Sequence, residues 1–398
     1  MLPIELLDML YRPFASAKLV HYMLFHHTFY RFARASRAFL LVAVLFFLLK
    51  VKSVSAAGTD AASFLDIPVG AGPASLGGAY TALAENGYAP VWNPAGLGFV
   101  ALTEVAAQHL SYLESIRYEF LSFVHPLGAA SAFGISAQYL SSGDIPETDN
   151  FGASLGHFSS HYGAYSLALG HAFTERLSVG FSGRYIDAKI SDINAHAFSG
   201  DVGTMYRVSS RLTLAAVAAN MGSELHFLEA SERLPLAFRV GAAFKPSNHW
   251  TLTTEGVGRR DGPAGGHFGV QWQALDLLAL RAGYRTDTVK ELSPLAGFAT
   301  GAGIRVWGSE FAYAWSPFGA LGDTHYFSLR VQFGHSQDTR RNLIQYQSIK
   351  THRLSSAAEQ QADLDEVLHL IAEPDLPAGR QAHAPLSAKS ETSLEPLP

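Results

Sequence analysis

His157 and His161 stand at an H-x3-H interval, which on a helix would turn both imidazoles to one face as metal ligands. They fall in or beside a Gly/Ser-rich loop with no helix and no obvious third ligand, so no metal is expected there. Asp144, Glu147 and Asp149 offer three carboxylates for Ca2+, but the run lacks the glycine and distal glutamate of an EF-hand loop and reads as a solvated loop. Ser160, His161 and Ser166 are the residues that would supply a Ser-His nucleophile. Neighbours on a strand point to opposite faces, and nothing marks a third member. No G-x-S-x-G elbow, phosphate loop or dinucleotide fingerprint occurs in a suitable context. The absence of cysteine from all 398 residues removes thiolate nucleophiles, thiolate zinc sites, Fe–S clusters and disulfides together. Neither an enzyme nor a cofactor is expected.

The remaining chemistry is charge at a regular spacing. Arg184, Asp201, Arg207, Arg239, Lys245, Glu255, Arg281, Arg305, Glu310 and Arg330 occupy one face of segments whose other face is apolar. Leu177, Val179, Phe181 and Tyr185 alternate with Ser178, Gly180, Ser182 and Arg184, and Leu278, Leu280, Ala282 and Tyr284 with Arg281, Gly283 and Arg285. That period of two is a strand signal. Asp187 interrupts it on the apolar side.

Fourteen such segments run from 103 to 333, near 103–111, 117–125, 130–140, 162–173, 176–188, 196–208, 211–221, 235–245, 249–259, 265–274, 277–287, 298–306, 309–316 and 324–333. Short connections (Thr174-Glu175, Ser209-Ser210, 246–248, Leu275-Asp276, Gly308) alternate with long ones (141–161, 188–195, 222–234, 260–264, 288–297, 317–323). Barrels of the outer membrane have short turns at one end and long loops at the other, and an even strand number. A soluble sandwich has no reason to obey that alternation. Tyr139, Tyr185, Tyr206, Phe244, Trp250, Tyr284, Trp307 and Trp315 fall near segment ends, where girdles would lie. The fold expected is therefore all-β: a transmembrane antiparallel barrel over 103–334, its apolar face on lipid and its charged face lining a wet lumen.

Composition agrees. Only 16% of residues are charged, against roughly 25% in soluble domains, while 48% are hydrophobic. The net charge of −5 argues against a nucleic-acid partner. Ala38 to Leu49 is an apolar run too short for a spanning helix. With Arg31, Arg34 and Arg37 before it and Val54-Ser55-Ala56 after it, it reads as an export signal over 1–56, with Met23 an alternative start. Residues 335–398 are polar and proline-interrupted and are expected to be a disordered periplasmic tail, with one short amphipathic helix over 362–372.

Between signal and barrel, residues 57–102 do not alternate. Pro68, Gly70, Gly72, Pro73, Gly77 and Gly78 break the chain, 79–84 offers a short helix, and Trp92-Asn93-Pro94-Ala95-Gly96-Leu97 ends in a turn. Such a compact segment suits a plug inside the lumen. Phe64-Leu65, the run from Pro68 to Ala84 and the Trp92–Leu97 turn resemble the N-terminal signature of the PorV/PorQ family, within the wider class of FadL-like fourteen-stranded barrels. The resemblance implies an N-terminal hatch in which Asn93, Pro94 and Ala95 form the turn, with Gly77 and Gly78 in the hatch. It implies a component of type IX-like protein secretion that holds exported proteins at the outer membrane. The alternative it carries is a FadL-like transporter passing small hydrophobic molecules through the hatch-plugged barrel.

Overall fold

The computed structural model describes residues 62–113, 116–227, 230–288, 295–334 and 361. The signal-peptide reading over 1–56, the Met23 start and the tail reading over 335–398 lie outside these residues, apart from Gln361.

Strands β1 (Thr103–Ser111), β2 (Arg117–Pro126), β3 (Ser131–Ser141), β6 (Ser160–Ala172), β7 (Leu177–Ile190), β8 (Ile193–Arg207) and β9 (Leu212–Gly222) form one half of a closed barrel. The other half is β12 (Ala237–Phe244), β13 (Trp250–Arg259), β14 (Gly265–Leu275), β15 (Leu278–Arg285), β16 (Phe298–Val306), β17 (Ser309–Pro317) and β18 (Asp323–Phe333). Fourteen strands thus close the wall, each antiparallel to its neighbours, and β18 pairs with β1 from Thr103↔Phe333 to Ser111↔His325. Closure satisfies every wall strand on both edges, which a sheet in lipid requires.

Two small hairpins stand outside the wall: β4 (Ile145–Thr148) with β5 (Ser154–Phe158), and β10 (Leu225–Phe227) with β11 (Ala230–Glu232). Both rise from the long-loop end. One expected long loop, 188–195, is instead a tight hairpin. β7 and β8 pair out to Ile190↔Ile193, and the turn closes on Ser191 at φ 55°. Pairing outcompetes loop here because Lys189 and Asn194 continue the alternation.

The apolar face points outward. Leu121, Ile135, Leu167, Leu169, Phe181, Phe198, Phe238 and Leu329 are exposed while their strand neighbours are buried. Aromatic and histidine rings border this band: Tyr139 stacks on His161 and Tyr185 on His196 at the long-loop end, and Trp250 on Trp272 at the short-turn end. Trp315 is half-buried and Phe244 buried, so these two expected girdle rings do not join the exposed band. Among the described residues no helix is long and apolar enough to cross a membrane. If the outer band faces lipid, Leu167→Arg, midway along β6, will cost about 2–4 kcal/mol. Folding titrations in bilayers of short-chain lipid would show it, and an unchanged midpoint would place that face elsewhere.

Candidate functional site

Residues 62–102 lie inside the barrel as a chain of short turns. Helix α1 (Ala71–Ser75), helix α2 (Ala89–Trp92) and a 3-10 turn over Pro94–Phe99 are its regular parts. The helix expected over 79–84 does not form. Gly77 and Gly78 enter the left-handed region at φ 64° and 78°, and the amides of Tyr80 and Thr81 donate to the Glu255 carboxylate at 3.1 and 2.9 Å instead of to a helical carbonyl. Glu255 is fully buried, and both backbone donors meet its Oε2 across the lumen.

Asn93, Pro94 and Ala95 form the turn that seats the plug. The Asn93 carboxamide oxygen accepts the Ala95 amide at 3.0 Å and caps the 3-10 turn. Its Nδ2 donates to Thr81 O at 3.1 Å within the plug and to Thr204 O at 3.3 Å on β8. Ser178 on β7 donates to Ala95 O at 2.6 Å. The wall makes room with glycine: a Cβ at Gly180 would stand 2.2 Å from the Pro94 carbonyl carbon, one at Gly170 2.5 Å from Pro94 O, and one at Gly203 2.1 Å from Asn93 Oδ1. Gly77 presses the opposite wall, where a Cβ would meet the Tyr284 amide nitrogen at 2.7 Å, and Gly78 lies beside His267.

The lumen-facing charges are paired rather than left to solvate an open pore. Arg184 bonds Asp201 at 2.7 Å, Asn220 at 2.6 Å and Ser166 at 3.2 Å within the wall. Arg207 and Arg239 reach the plug: Arg207 bonds Glu85 at 2.7 Å and lies over the Phe99 ring, and Arg239 lies 3.6 Å from Asp66 and over Trp92. Arg281 and Arg305 converge on Glu310 at 2.6 and 3.0 Å, joined by Arg330 at 2.6 Å. The wet lumen expected from the sequence is therefore filled across its middle by the plug.

Several residues of this interior gave no signal of their own. Asp66 in the plug bonds Arg259 at 3.0 Å, and Arg259 bonds Asp287 in the loop after β15 at 2.7 Å. Asp287 also accepts from Arg285 at 2.8 Å and lies 3.2 Å from His267. Burial alone would raise the Asp287 carboxyl, but Arg285 and His267 outweigh it and hold it well below the usual carboxylate range. On β1, Gln108 accepts the Gly70 amide and Glu104 the Gly87 amide. Their i,i+4 spacing on an inward face is the signal that would have linked them.

Two cavities flank the plug. The one at the long-loop end holds about 510 Å3 and is mostly apolar, with Phe64, Leu140, Tyr162, Phe227, Phe318 and Tyr326 on its walls. The one at the short-turn end holds about 670 Å3 and is mostly polar.

The candidates for catalysis and metal binding are not assembled. Ser166 faces inward to Arg184 while His161 stacks outward on Tyr139, and His157 sits exposed on β5. Asp149 Oδ1 accepts the Phe151 and Ala153 amides and shapes its own turn. Among the described residues no group of three or more His, Asp or Glu is placed to hold a metal ion.

Compared with solved structures, the chain superimposes on the CymD monoaromatic hydrocarbon channel with a TM-score of 0.50 at 12% identity, over 68% of this chain and 98% of that one. The two share a fold. The toluene transporter TbuX of Ralstonia pickettii gives a TM-score of 0.47 at 12% identity, covering 67% and 98% of the two chains. A FadL homologue of Pseudomonas aeruginosa gives 0.44 at 12%, covering 70% and 98%. At such identity the likeness establishes architecture alone. No protein-family model matches the sequence, and no curated protein matches it. The resemblance to PorV/PorQ therefore finds no support in these comparisons.

Proposed function

We propose that this chain is an outer-membrane channel admitting small hydrophobic molecules, of the size of a single aromatic ring with short substituents, through a hatch-plugged barrel. The observation that carries the reading is the apolar cavity at the long-loop end. Its volume, about 510 Å3, falls within the roughly 300–1,000 Å3 of small-molecule sites. Phe64 approaches Tyr162 at 5.6 Å and Tyr118 at 6.4 Å between ring centroids, and Phe318 meets Tyr112 edge-on at 5.9 Å. These rings pack on one another and present an aromatic wall to the cavity. The fold shared with a monoaromatic hydrocarbon channel supports the same reading. In this scheme lipid contacts the outer band and no cofactor takes part.

The secretion role rests on the PorV/PorQ resemblance alone, and the cavity gives a reason to prefer transport. The test is uptake of radiolabelled toluene by cells expressing the chain in a host stripped of its own hydrocarbon channels. Phe227→Asp sets a carboxylate on the cavity wall, a desolvation penalty for apolar guests of about 1–3 kcal/mol, and should lower uptake about tenfold. Phe151→Asp, on the exposed tip between β4 and β5, should leave it unchanged. Equal uptake with and without the protein would end the transport reading. Exported proteins trapped in the periplasm when the gene is deleted would favour secretion instead.

A further inference from the structure

The polar cavity at the short-turn end has a charge imbalance that plug seating does not require. Besides Arg211, which makes contacts of its own, four basic side chains line it: Lys245 after β12, Arg281 on β15, Arg305 on β16 and Arg330 on β18. Glu310 is the acidic residue among them. On the walls of the cavity at the opposite end acids outnumber bases, with Asp66, Glu232 and Asp287 against Arg285.

Donors also outnumber acceptors. A carboxylate offers about four lone-pair sites and each guanidinium five N–H groups. Arg281, Arg305 and Arg330 all draw on Glu310. Gln271 takes the Arg281 Nε at 2.7 Å, and Glu104 lies 3.5 Å from Arg330. Arg281 Nη1 is left buried without an acceptor, on a side chain that is more than nine-tenths buried. Lys245 forms no ion pair among the described residues. The exposed guanidinium of Arg305 and the Lys245 ammonium face the same cavity, where an oxyanion would accept from both.

We infer that this basic chamber is a binding site for a small phosphate-type oxyanion. Phosphate fits better than a monoanion for two reasons. The surplus of cations is larger than one, and planar guanidiniums on adjacent strands suit bidentate contact with a tetrahedral group. The volume of about 670 Å3 admits a phosphoryl group with a small substituent and excludes a folded partner. Gly72 and Pro73 of α1 form part of the roof, so an occupant touches the plug from beneath. The inference does not rest on the transport reading, since it concerns the other end of the lumen and is read without any uptake.

The experiment titrates the purified full chain in zwitterionic detergent at low ionic strength, by calorimetry, with inorganic phosphate in one arm and dihexanoyl phosphatidic acid in the other. Saturable binding is expected, weakened by added chloride as exposed charge pairs are. Arg281→Gln combined with Arg305→Gln should lower the affinity by at least about tenfold, the worth of one charge-assisted contact. Binding of inorganic phosphate identifies a free anion as sufficient, and binding of the phosphatidate alone identifies a lipid headgroup. Either supports the site. Absence of saturable binding in both arms overturns it, as does equal affinity in the double variant. Should that variant fail to give a folded, heat-modifiable band on gels, Arg305→Gln with Lys245→Gln decides by the same tenfold criterion, because both side chains are exposed and neither bonds the plug.

Discussion

The Gly180→Val variant is expected to insert as a barrel whose interior no longer closes. A Cβ at position 180 falls 2.2 Å from the Pro94 carbonyl carbon and 2.3 Å from the Ala95 amide nitrogen, and both atoms are backbone, so no rotamer relieves the overlap. The turn must back away, which breaks the Asn93 bond to Thr204 O and the Ser178 bond to Ala95 O. Overpacking costs about 1–3 kcal/mol and each lost hydrogen bond about 1 more. A change of about 1.4 kcal/mol already moves a seated-to-unseated ratio tenfold. The wall itself is untouched, because its strand-to-strand ladder does not pass through the plug. Conductance in planar bilayers, or sensitivity of cells to a large hydrophilic antibiotic, should therefore rise about tenfold or more. Gly183→Val is the control: it stands three residues further along β7 on the outer face, with no atom within 4 Å of the added carbon. A folded Gly180→Val barrel that conducts no more than the control would show that this turn is not the seal.

That pair of glycines also marks how far the sequence could be read. The alternation of Ser178, Gly180, Ser182 and Arg184 against Val179, Phe181 and Tyr185 places β7, its faces and its length with no structure in hand, because period two is a local property of the chain. All fourteen wall strands are legible in this way. What alternation cannot tell is why an inward position is glycine. Gly170, Gly180 and Gly203 lie on three strands and become one slot only when β6, β7 and β8 are side by side. The charges obey the same limit. Alternation sets Arg184, Arg207, Arg239, Arg281 and Arg305 on one face, yet their acids come from a wall strand, the plug and a wall hairpin at separations from 5 to 173 residues. The misread helix over 79–84 has the same origin, since its amides are claimed by Glu255, about 175 residues away.

Asp287→Asn should be the costliest single change of charge in the interior. The carboxylate side chain is 1% exposed and receives Arg259 at 2.7 Å and Arg285 at 2.8 Å, with His267 at 3.2 Å. Asparagine keeps the shape but removes the charge, leaving Asp66 to face the guanidinium of Arg259 alone. Removing one partner of a buried ion pair costs about 3–5 kcal/mol, chiefly because the surviving charge stays buried. The loss should extend to the plug, because Asp66 holds the 3-10 turn over Ser63–Asp66 to that same Arg259. The sign with pH follows from the lowered Asp287 value. Its contribution is fully present above the ordinary carboxylate range near pH 4 and fades only as the pH falls through the folded value beneath it. The gap between wild type and Asp287→Asn should thus be constant from neutral pH down to about pH 4 and narrow below that. The temperature at which the folded band converts on SDS gels, measured along that series, checks both parts. A variant converting at the wild-type temperature at neutral pH would mean that Asp66 alone balances these arginines, and that the loop after β15 does not fasten the plug.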